Sequence, residues 1–368
     1  MTDHEYMLIA IAEAKKGWGN THLNPLVGAI IVEDGMVVSG GYHAKYGGPH
    51  AEIEALNNLG RKPNKGAVLY VTLEPCCSKG KTGPCTDAIL ESGLKKVVIG
   101  AIDPDERHRG RGIEILKSAG VETTAGVLQS DCEDLNLLFN HVAKTGEPLI
   151  AGKTATTLDG KVSTRTGSSQ WITGEIARRD VMRWRRLFPA IAVGSGTVLA
   201  DNPSLTSRLD DLVTCGTRFV FDRRLRTRTG LDSLHVFTDS FKDKTVVVTN
   251  DETAEVSDFE ERGIQVWKLH GSGIEFWITF KKRCTEDFLN GVYFEGGPCL
   301  LSDLLAHRQL NYLFAYRAPK FLADNEAPVF LQGQSIANMG DAFTLGNVQQ
   351  SILGDDQLMR GFINYSPL

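Results

Sequence analysis

Short apolar runs alternate with segments of helical periodicity along the whole chain, and glycine and proline residues separate them. In the first half this pattern predicts a β-hairpin followed by alternating helices and strands. The predicted elements are a helix over 5–16, strands over 27–32 and 36–42, a helix over 51–59, a strand over 68–71, a helix over 86–92, a strand over 96–100, a helix over 113–119, a strand over 121–124 and a helix over 135–144. Such alternation is typical of an α/β fold in which helices cover a sheet.

The segment Thr145-Gly146-Glu147-Pro148 interrupts this pattern, and a second alternation begins at Leu149. The sequence therefore predicts two domains, residues 1–146 and 147–368. The predicted elements of the second domain are strands over 149–154, 190–194, 218–222, 245–249, 265–269, 291–295 and 312–317, with helices near 176–187, 279–290 and 299–307. A length of 368 residues also favours two domains, because a chain of this length is longer than a domain with a single hydrophobic core usually is.

Composition narrows the class of protein. With 42% hydrophobic and 23% charged residues, the chain is typical of a soluble globular protein, and it has no apolar run near the roughly 18 residues that span a membrane. The start of the chain lacks a basic signal-peptide region, and Thr2 and Glu5 have the spacing of a helix capping box. Seven cysteines, an odd number, favour reduced thiols in the cytoplasm. A net charge of -5 gives no electrostatic reason to expect a nucleic-acid partner.

The segment His50-Ala51-Glu52, followed by Pro75-Cys76 and then by Cys85, predicts a catalytic zinc site. It resembles the His-x-Glu…Pro-Cys signature of zinc-dependent nucleobase deaminases, although eight residues separate the two cysteines here instead of two. One imidazole and two thiolates would bind one Zn²⁺ and leave a fourth tetrahedral position for water. Glu52 would transfer protons without binding the metal.

Other interpretations of these residues are weaker. A His-x-Glu pair is common by chance, and the two cysteines could be buried apolar residues. A closed structural zinc site would need a fourth ligand, and Cys77 is the only cysteine close by; adjacent cysteines rarely both reach one metal. The context favours catalysis, because a predicted strand ends just before Cys76 and a helix is expected to begin near Cys85.

Two glycine-rich turns in the second half are candidate anion-binding sites. One is Gly194-Ser195-Gly196-Thr197 after a strand, and the other is Glu295-Gly296-Gly297-Pro298 before a helix. The first turn lacks the third glycine of a dinucleotide fingerprint, which disfavours a Rossmann fold. From these residues alone the second half is a nucleotide-binding α/β domain whose chemistry stays open.

Several longer motifs extend the interpretation. In the first half they are Asn24-Pro25-Leu26-Val27-Gly28, Pro49-His50-Ala51-Glu52, Thr72-Leu73-Glu74-Pro75-Cys76 and Gly80-Lys81-Thr82-Gly83-Pro84-Cys85; in the second they are Leu158-Asp159-Gly160-Lys161, Ser169-Gln170-Trp171-Ile172-Thr173, the run 197–206 and Glu295-Gly296-Gly297-Pro298. Together they resemble the bifunctional deaminase/reductase family of riboflavin biosynthesis, whose own signature has the wide cysteine spacing. The resemblance implies a cytidine-deaminase-like three-layer α/β/α domain followed by a dihydrofolate-reductase-like α/β domain.

The same resemblance implies two consecutive reactions on one phosphorylated pyrimidine. Residues 1–146 would hydrolytically deaminate 2,5-diamino-6-(5-phosphoribosylamino)pyrimidin-4(3H)-one with zinc. Residues 147–368 would then reduce the ribosyl group to ribityl with NADPH, giving 5-amino-6-(5-phosphoribitylamino)uracil. It also leads us to expect a homo-oligomer assembled through the reductase domain.

The resemblance assigns roles to individual residues. Asn24 would orient the pyrimidine, although a turn residue before Pro25 is an alternative interpretation. The implied substrate contacts of the reductase are Ser169, Arg185, Leu205, Arg208 and Glu295; the implied cofactor contacts are Ala155, Trp171, Thr197, Asp201, Gly297 and Pro298. Lys153 and Asp159 are candidate polar groups near hydride transfer, and a solvated pair at a strand end explains them equally well. Trp171 on its own would be interpreted as a core residue.

The chain departs from the family pattern at four places. Cys77-Ser78 replaces Ser-His, Asp105-Glu106 replaces Asn-Pro, Arg223 replaces a serine, and Asn311 replaces an acidic residue. These departures affect individual contacts and leave the metal ligands and Glu52 intact.

Arg223 is a candidate contact for the 2'-phosphate of NADPH. It follows a predicted strand, where a basic residue commonly selects NADPH over NADH, and Arg224 comes next. A solvated basic turn is an equally good interpretation, because Arg226 and Arg228 continue the run.

One rival function is a nucleic-acid base deaminase fused to a non-catalytic nucleotide-binding module. The acidic net charge and the lack of a basic patch interleaved with aromatic residues count against it.

Overall fold

The chain folds as two units, Met1–Gly146 and Glu147–Leu368. The structure is a computed structural model that describes residues 1–78, 83–333 and 336–365. The elements of the first unit are α1 Asp3–Lys15, β1 Gly28–Glu33, β2 Met36–Tyr42, α2 Ala51–Leu59, β3 Val68–Leu73, α3 Cys85–Ser92, β4 Lys96–Ala101, α4 Arg111–Ser118, β5 Glu122–Ala125, α5 Gln129–Leu135 and α6 Leu137–Thr145.

The first unit is built on a five-stranded sheet in the order β2-β1-β3-β4-β5. Strand β1 is antiparallel to both β2 and β3, while β3, β4 and β5 are parallel. Ala29 and Ile31 of β1 pack into a core with residues of α2, α3 and α4. The neighbouring Gly28 contacts α1, and a Cβ atom there would lie 2.1 Å from the carbonyl oxygen of Ala10. Helices therefore cover both faces of the sheet, which gives three layers.

The second unit contains a larger sheet. Its elements are β6 Leu149–Thr156, α7 Glu175–Leu187, β7 Ala190–Gly194, α8 Ser195–Asp201, β8 Ser207–Leu209, β9 Leu212–Thr214, β10 Thr217–Phe221, α9 His235–Thr238, β11 Thr245–Thr249, α10 Ser257–Glu260, β12 Gln265–Lys268, α11 Ile274–Glu286, β13 Gly291–Phe294, α12 Pro298–Ala306, β14 Tyr312–Arg317, β15 Thr344–Leu353 and β16 Asp356–Asn364, with 3₁₀ turns at Arg226–Gly230, Lys242–Lys244 and Met339–Asp341.

Nine strands of this unit form one sheet, in the order β12-β11-β10-β7-β13-β6-β14-β16-β15. The strands from β12 to β14 are parallel, and the hairpin β15–β16 adds an antiparallel edge. Parallel strands place their carboxyl ends along one edge of a sheet, which is where ligands usually bind in open α/β folds. The segments after β7, β10 and β13 therefore form one neighbourhood.

Most predicted elements occur close to their expected positions. The hairpin β1–β2, the capping box of Thr2 with Glu5 and the end of α2 at a left-handed Gly60 are all confirmed. Helix α11 was expected at 279–290, and it begins earlier, just after Gly273, because Phe276 and Trp277 in its first turn are buried. The hairpin β15–β16 was not predicted, because β15 alternates weakly and is largely exposed.

None of the helices in the described parts of the chain is long and apolar enough to cross a membrane. None of the seven cysteines forms a disulfide.

Candidate functional site

Three side chains of the first unit converge as the motif predicted. His50 precedes the first turn of α2, Cys76 follows strand β3, and Cys85 is the first residue of α3. The Nδ1 atom of His50 lies 3.2 Å from Sγ of Cys85 and 3.4 Å from Sγ of Cys76. All three ligand atoms lie within 4.8 Å of one another, and no other group of this kind is found among the described residues. One nitrogen and two sulfur donors fit zinc and leave a fourth position open.

Hydrogen bonds inside this group stabilise a thiolate. The bond from the Cys85 thiol, followed by the bond from His50, lowers the pKa of Cys76 to about 4 against the opposing effect of burial. The same bond to Cys76, together with burial, raises the pKa of Cys85. The backbone N–H of Cys85 also donates to Sγ of Cys76 at 3.4 Å. Because zinc binds thiolates, metal binding would release the proton of Cys85.

Glu52 lies beside the metal group without belonging to it. Its side chain is in the first turn of α2 and only 3% exposed. Burial raises the pKa of Glu52 to about 7. A carboxyl group that titrates near neutral pH is well suited to accept and return protons.

Asn24 is held by a histidine that the sequence analysis missed. The side-chain nitrogen of Asn24 lies 3.0 Å from Nε2 of His43, and Nδ1 of His43 lies 2.9 Å from the carbonyl oxygen of Pro49. Burial lowers the pKa of His43, so the neutral ring donates from Nδ1 to Pro49 and accepts at Nε2 from Asn24. The rings of His43 and His50 are 5.7 Å apart. His43 therefore connects Asn24 to the segment that carries the metal ligand.

Glu74 is a second residue that the sequence analysis missed as a functional group. Its buried carboxylate accepts four backbone N–H groups, from Asp103, Gly110, Gly112 and Ile113, at 2.9–3.3 Å. These bonds fix the loop before α4 and the start of that helix next to the Pro75–Cys76 turn. In the loop, Asp105 stands where the family has asparagine, and its carboxylate pairs with Arg107 at 2.6 Å. Asp105, which replaces the family's asparagine, thus has its own counter-ion.

Of the segment Gly80-Lys81-Thr82-Gly83-Pro84-Cys85, positions 80–82 lie outside the described residues.

The second unit has a cavity of about 510 Å³ at the carboxyl ends of β6, β7 and β13. It contains all five predicted substrate contacts, six predicted cofactor contacts and Lys153. These residues are Ser169, Arg185, Leu205, Arg208 and Glu295, then Ala155, Trp171, Thr197, Asp201, Gly297 and Pro298. Trp171 is 62% exposed, with the Arg178 guanidinium 4.6 Å from its ring centre, so it is not a core residue.

Arg185, Glu295 and Lys153 form a partly buried charged cluster in this cavity. The guanidinium of Arg185 donates to Glu295 at 2.5 and 2.9 Å and to the carbonyl oxygen of Thr206 at 2.8 Å. Burial opposes ionisation of Glu295, but the charge of Arg185 keeps the pKa of that carboxyl below its ordinary value. Nζ of Lys153 lies 3.9 Å from Glu295, and burial lowers the pKa of Lys153.

Asp159 does not join Lys153. It does not line this cavity, and its carboxylate accepts hydrogen bonds from Thr157 at 2.6 Å and from the backbone of Leu322 and Ala323. These contacts order a loop. Of the two polar candidates, only Lys153 lies among the predicted substrate and cofactor residues.

A second cavity, of about 880 Å³, shares Ser169, Thr197, Asp201, Gly297 and Pro298 with the first. It also contains Arg223 and Arg224, which follow β10, and Trp277 of α11. The guanidinium of Arg223 lies 3.3 Å from the carboxylate of Asp303, which also accepts a hydrogen bond from the Trp277 indole at 2.8 Å. The shared lining shows that the two cavities are adjacent.

Family models match both halves of the chain. The cytidine and deoxycytidylate deaminase zinc-binding region matches residues 1–101, and the RibD C-terminal domain matches residues 148–352. The order of these two matches confirms the predicted fold class.

Relatives match over the full length. The riboflavin biosynthesis protein RibD of Actinobacillus pleuropneumoniae is 39% identical, over 100% of this chain and 97% of its own, and that of Bacillus amyloliquefaciens is 38% identical, over 95% and 94%. The solved deaminase/reductase of Thermotoga maritima is 33% identical with a TM-score of 0.81, covering 99% of this chain and 98% of its own. The chain therefore belongs to the RibD family of bifunctional deaminase and reductase enzymes of riboflavin biosynthesis.

Proposed function

We propose that residues 1–146 deaminate 2,5-diamino-6-(5-phosphoribosylamino)pyrimidin-4(3H)-one, and that residues 147–368 then reduce its ribosyl group with NADPH. The product is 5-amino-6-(5-phosphoribitylamino)uracil. The observation that carries the proposal is the presence in one chain of the His50, Cys76 and Cys85 group beside Glu52 and of the Lys153, Glu295 and Arg185 cluster in a cavity. The solved Thermotoga maritima relative is named as a diaminohydroxyphosphoribosylaminopyrimidine deaminase and 5-amino-6-(5-phosphoribosylamino)uracil reductase, which supports both substrates.

In the deaminase, His50, Cys76 and Cys85 would hold one zinc ion, which would supply a water molecule of lowered pKa as the nucleophile for C2 of the pyrimidine. Glu52 would accept the proton that this water loses. The same carboxyl group then returns protons to the ring and to the amino group, which leaves as ammonia. Asn24, supported by His43, orients the ring.

In the reductase, a bound nicotinamide supplies the hydride for C1' of the ribosyl group. As the bond between C1' and the ring oxygen breaks, that oxygen needs a proton. Lys153 is the group we assign to this step, because it lies partly buried beside Glu295 and the loss of water contact makes its proton easier to release. Asp159 is the weaker candidate, because its carboxylate is occupied by loop contacts.

Two arginines of the substrate cavity have different functions in this proposal. Arg185 holds Glu295 and Thr206 and has few free N–H groups, so we assign it to positioning Glu295. Arg208 donates only to the hydroxyl of Thr206, at 3.1 Å, among the described contacts, and its remaining N–H groups are available for the substrate phosphate. Ser169 and Leu205 complete the substrate contacts.

NADPH is the proposed cofactor because Arg223 and Arg224 line the larger cavity beside the glycine-rich turns. Arg223 is the candidate contact for the 2'-phosphate, in place of the family's serine. Ala155, Trp171, Thr197, Asp201, Gly297 and Pro298 would contact the rest of the dinucleotide.

We propose that the enzyme acts in the cytoplasm, without nucleic acid, as a homo-oligomer assembled through the reductase domain. The net charge of -5 supports the absence of a nucleic-acid partner. Sedimentation of the full chain, with and without RNA at low salt, tests the oligomer and the partner together.

The test of the main proposal follows ammonia release and NADPH absorbance together on the authentic pathway substrate. Glu52→Gln should retain zinc, lose ammonia release by a factor of about 10²–10⁴, and still reduce the deaminated intermediate. Lys153→Met should release ammonia at the wild-type rate and should lose the oxidation of NADPH. Near-normal ammonia release by Glu52→Gln would contradict the assigned mechanism, and NADPH binding without any oxidation would contradict the reductase assignment.

A further inference from the structure

The larger cavity of the second unit is lined by three arginines that follow β10, and their surroundings differ. Arg223 has a counter-ion, the carboxylate of Asp303. Arg226 also lines the cavity, and its guanidinium has no hydrogen bond or ion pair with any residue in the parts of the chain that the structure describes. A cation that lines a cavity without a protein partner is available to an anionic ligand.

The position of Arg226 is fixed by a buried anchor. Asp222 is 1% exposed, and its carboxylate accepts two hydrogen bonds from Thr227, the residue that follows Arg226. The backbone N–H of Thr227 donates at 2.7 Å and its hydroxyl at 2.8 Å. Thr227 is itself fully buried. The backbone that carries Arg226 is therefore held tightly, which limits where its guanidinium can lie.

The guanidinium of Arg226 lies next to the glycine-rich turn after β7. Its Nη2 atom is 3.8 Å from the position that a Cβ atom on Gly196 would take. Because glycine has no side chain, the space between the Gly194–Thr197 turn and Arg226 stays open to the cavity. A phosphate in that space would contact both the guanidinium and the backbone of the turn.

Arg228 shows that this basic run is not uniform. It lies two residues further along the same 3₁₀ turn, but its guanidinium pairs with Asp258 at 2.9 Å and does not line the cavity. Arg228 is therefore half-buried and neutralised by a protein carboxylate, whereas the exposed Arg226 faces the cavity without one in the described parts of the chain.

We propose that Arg226 binds a phosphate group of the dinucleotide cofactor, together with the Gly194–Thr197 turn. The inference rests on the proposed function in taking this cavity as the nicotinamide-dinucleotide site. Two phosphates of the cofactor have the required chemistry: the pyrophosphate, which NADPH and NADH share, and the 2'-phosphate, which only NADPH has.

The test measures direct binding to the full chain by calorimetry, with NADPH, NADH, ADP and 2'-AMP as ligands. ADP carries the pyrophosphate without the 2'-phosphate, and 2'-AMP carries the 2'-phosphate without the pyrophosphate. Arg226→Ala should raise the Kd of at least one fragment roughly 5- to 20-fold, as expected for a charged contact that is partly exposed. Weakened ADP, NADH and NADPH would identify the pyrophosphate, whereas weakened 2'-AMP and NADPH alone would identify the 2'-phosphate.

Arg228→Ala is the matched control, because it removes the same charge from the same turn outside the cavity. It should leave all four Kd values within about twofold of wild type, since exposed charges interact weakly over distance. Arg226→Lys keeps the charge and should recover part of the lost affinity. Thermal melting of each variant checks that the fold is retained.

Two results would overturn the inference alone. One is an Arg226→Ala variant that binds all four ligands as wild type does; the other is equal weakening by Arg226→Ala and Arg228→Ala, which would indicate only a long-range charge effect. A wild-type chain that bound neither dinucleotide would overturn the proposed reductase function itself, and the inference with it.

Discussion

The two adjacent cysteines after β3 differ in what their side chains contact. Cys76 lies with His50 and Cys85 in the metal group, whereas the partly exposed Cys77 does not belong to it. Adjacent residues on a turn direct their side chains differently, so the second thiol is not an alternative ligand. The family's serine at this position is thus replaced without a change in the ligand set.

Metal content tests this assignment. Wild type should contain one zinc per chain, and Cys76→Ala or Cys85→Ala should lose it, because two protein ligands hold zinc far more weakly than three. Cys77→Ser should retain a full equivalent. Elemental analysis of the purified variants measures this directly, and a Cys77→Ser protein as metal-poor as Cys76→Ala would refute the proposed ligand set.

The partly buried amine of Lys153 predicts the pH dependence of the reductase. Burial disfavours its charged form, and the pKa of Lys153 therefore lies below the ordinary lysine value despite the charge of Glu295. A proton donor must be protonated, so the reduction rate should fall as the pH rises through this lowered pKa. Arginine stays protonated throughout that range.

Kinetics on the deaminated intermediate measure this effect. Wild type should lose kcat on the alkaline side, and Lys153→Arg should be slower but should lack that decline below pH 10 or so. Lys144→Arg, in the first unit, is the control and should leave the profile unchanged. An identical alkaline decline in wild type and Lys153→Arg would assign the titration to another group.

The residues predicted from the sequence belong to a recognisable motif, whereas two residues that it did not reveal act through contacts with the rest of the fold. His50, Cys76, Cys85 and Glu52 belong to a short motif whose chemistry is recognisable from residue type and spacing. His43 contacts the side chain of Asn24 and the backbone of Pro49, and Glu74 contacts the backbone of residues 103–113. Nothing in their local sequence marks such contacts, although both directly follow a β-strand, where site residues concentrate in this fold.

Among the secondary-structure elements, strand β3 and helix α4 are connected by hydrogen bonds to one side chain, that of Glu74. The carboxylate of Glu74 accepts bonds from Gly112 and Ile113 in the first turn of α4 and from Gly110 before it. Acceptors at this end of a helix satisfy N–H groups that have no partner within the helix. Gly112 approaches so closely that a Cβ atom there would lie 2.2 Å from the carbonyl oxygen of Pro75.

Glu74→Gln should weaken the hydrogen bonds between β3 and α4, although glutamine has nearly the same shape as glutamate. One end of the glutamine amide is a donor, so it cannot accept the N–H groups that one carboxylate oxygen now accepts. We expect a loss of about 1–3 kcal/mol in the free energy of unfolding, because buried donors are left unpaired. Urea denaturation measures the loss. The exposed Glu114→Gln in α4 is the control and should change stability by less than about 0.5 kcal/mol.

Elements with a strong apolar pattern were predictable, and exposed ones were not. Strand β1 is buried at all six positions and was found from its apolar run. Strand β15 is mostly exposed and pairs only with β16 within its sheet, so it depends on cross-strand hydrogen bonds that no local periodicity reveals. The short helices α8, α9 and α10 are set by tertiary packing, since helices of one or two turns have little stability of their own.

For the whole molecule, each unit has its own sheet and its own apolar core. The proposed metal ligands belong to the first unit and the proposed cofactor contacts to the second. A ligand that binds only the folded form of one unit stabilises that unit by mass action. Zinc and NADPH should therefore act on different unfolding transitions.

Calorimetry with tryptophan fluorescence tests this expectation. Chelation of zinc should lower one transition, because metal binding contributes to the folding free energy of its domain. NADPH at a hundredfold excess over its Kd should stabilise the other by about 2.7 kcal/mol. Four of the five tryptophans, all except Trp18, lie after residue 146, so fluorescence should follow the transition that NADPH raises.

Two variants make the assignment of the transitions specific. Cys85→Ala should reproduce the effect of the chelator and leave the NADPH response intact, because its thiol belongs only to the metal group. Arg226→Ala should reduce the NADPH response and leave the chelator response intact, since its guanidinium lines only the cofactor cavity. If either ligand moved both transitions by the same amount, the two units would unfold as one cooperative body, and the assignment of one ligand to each unit would have no thermodynamic support.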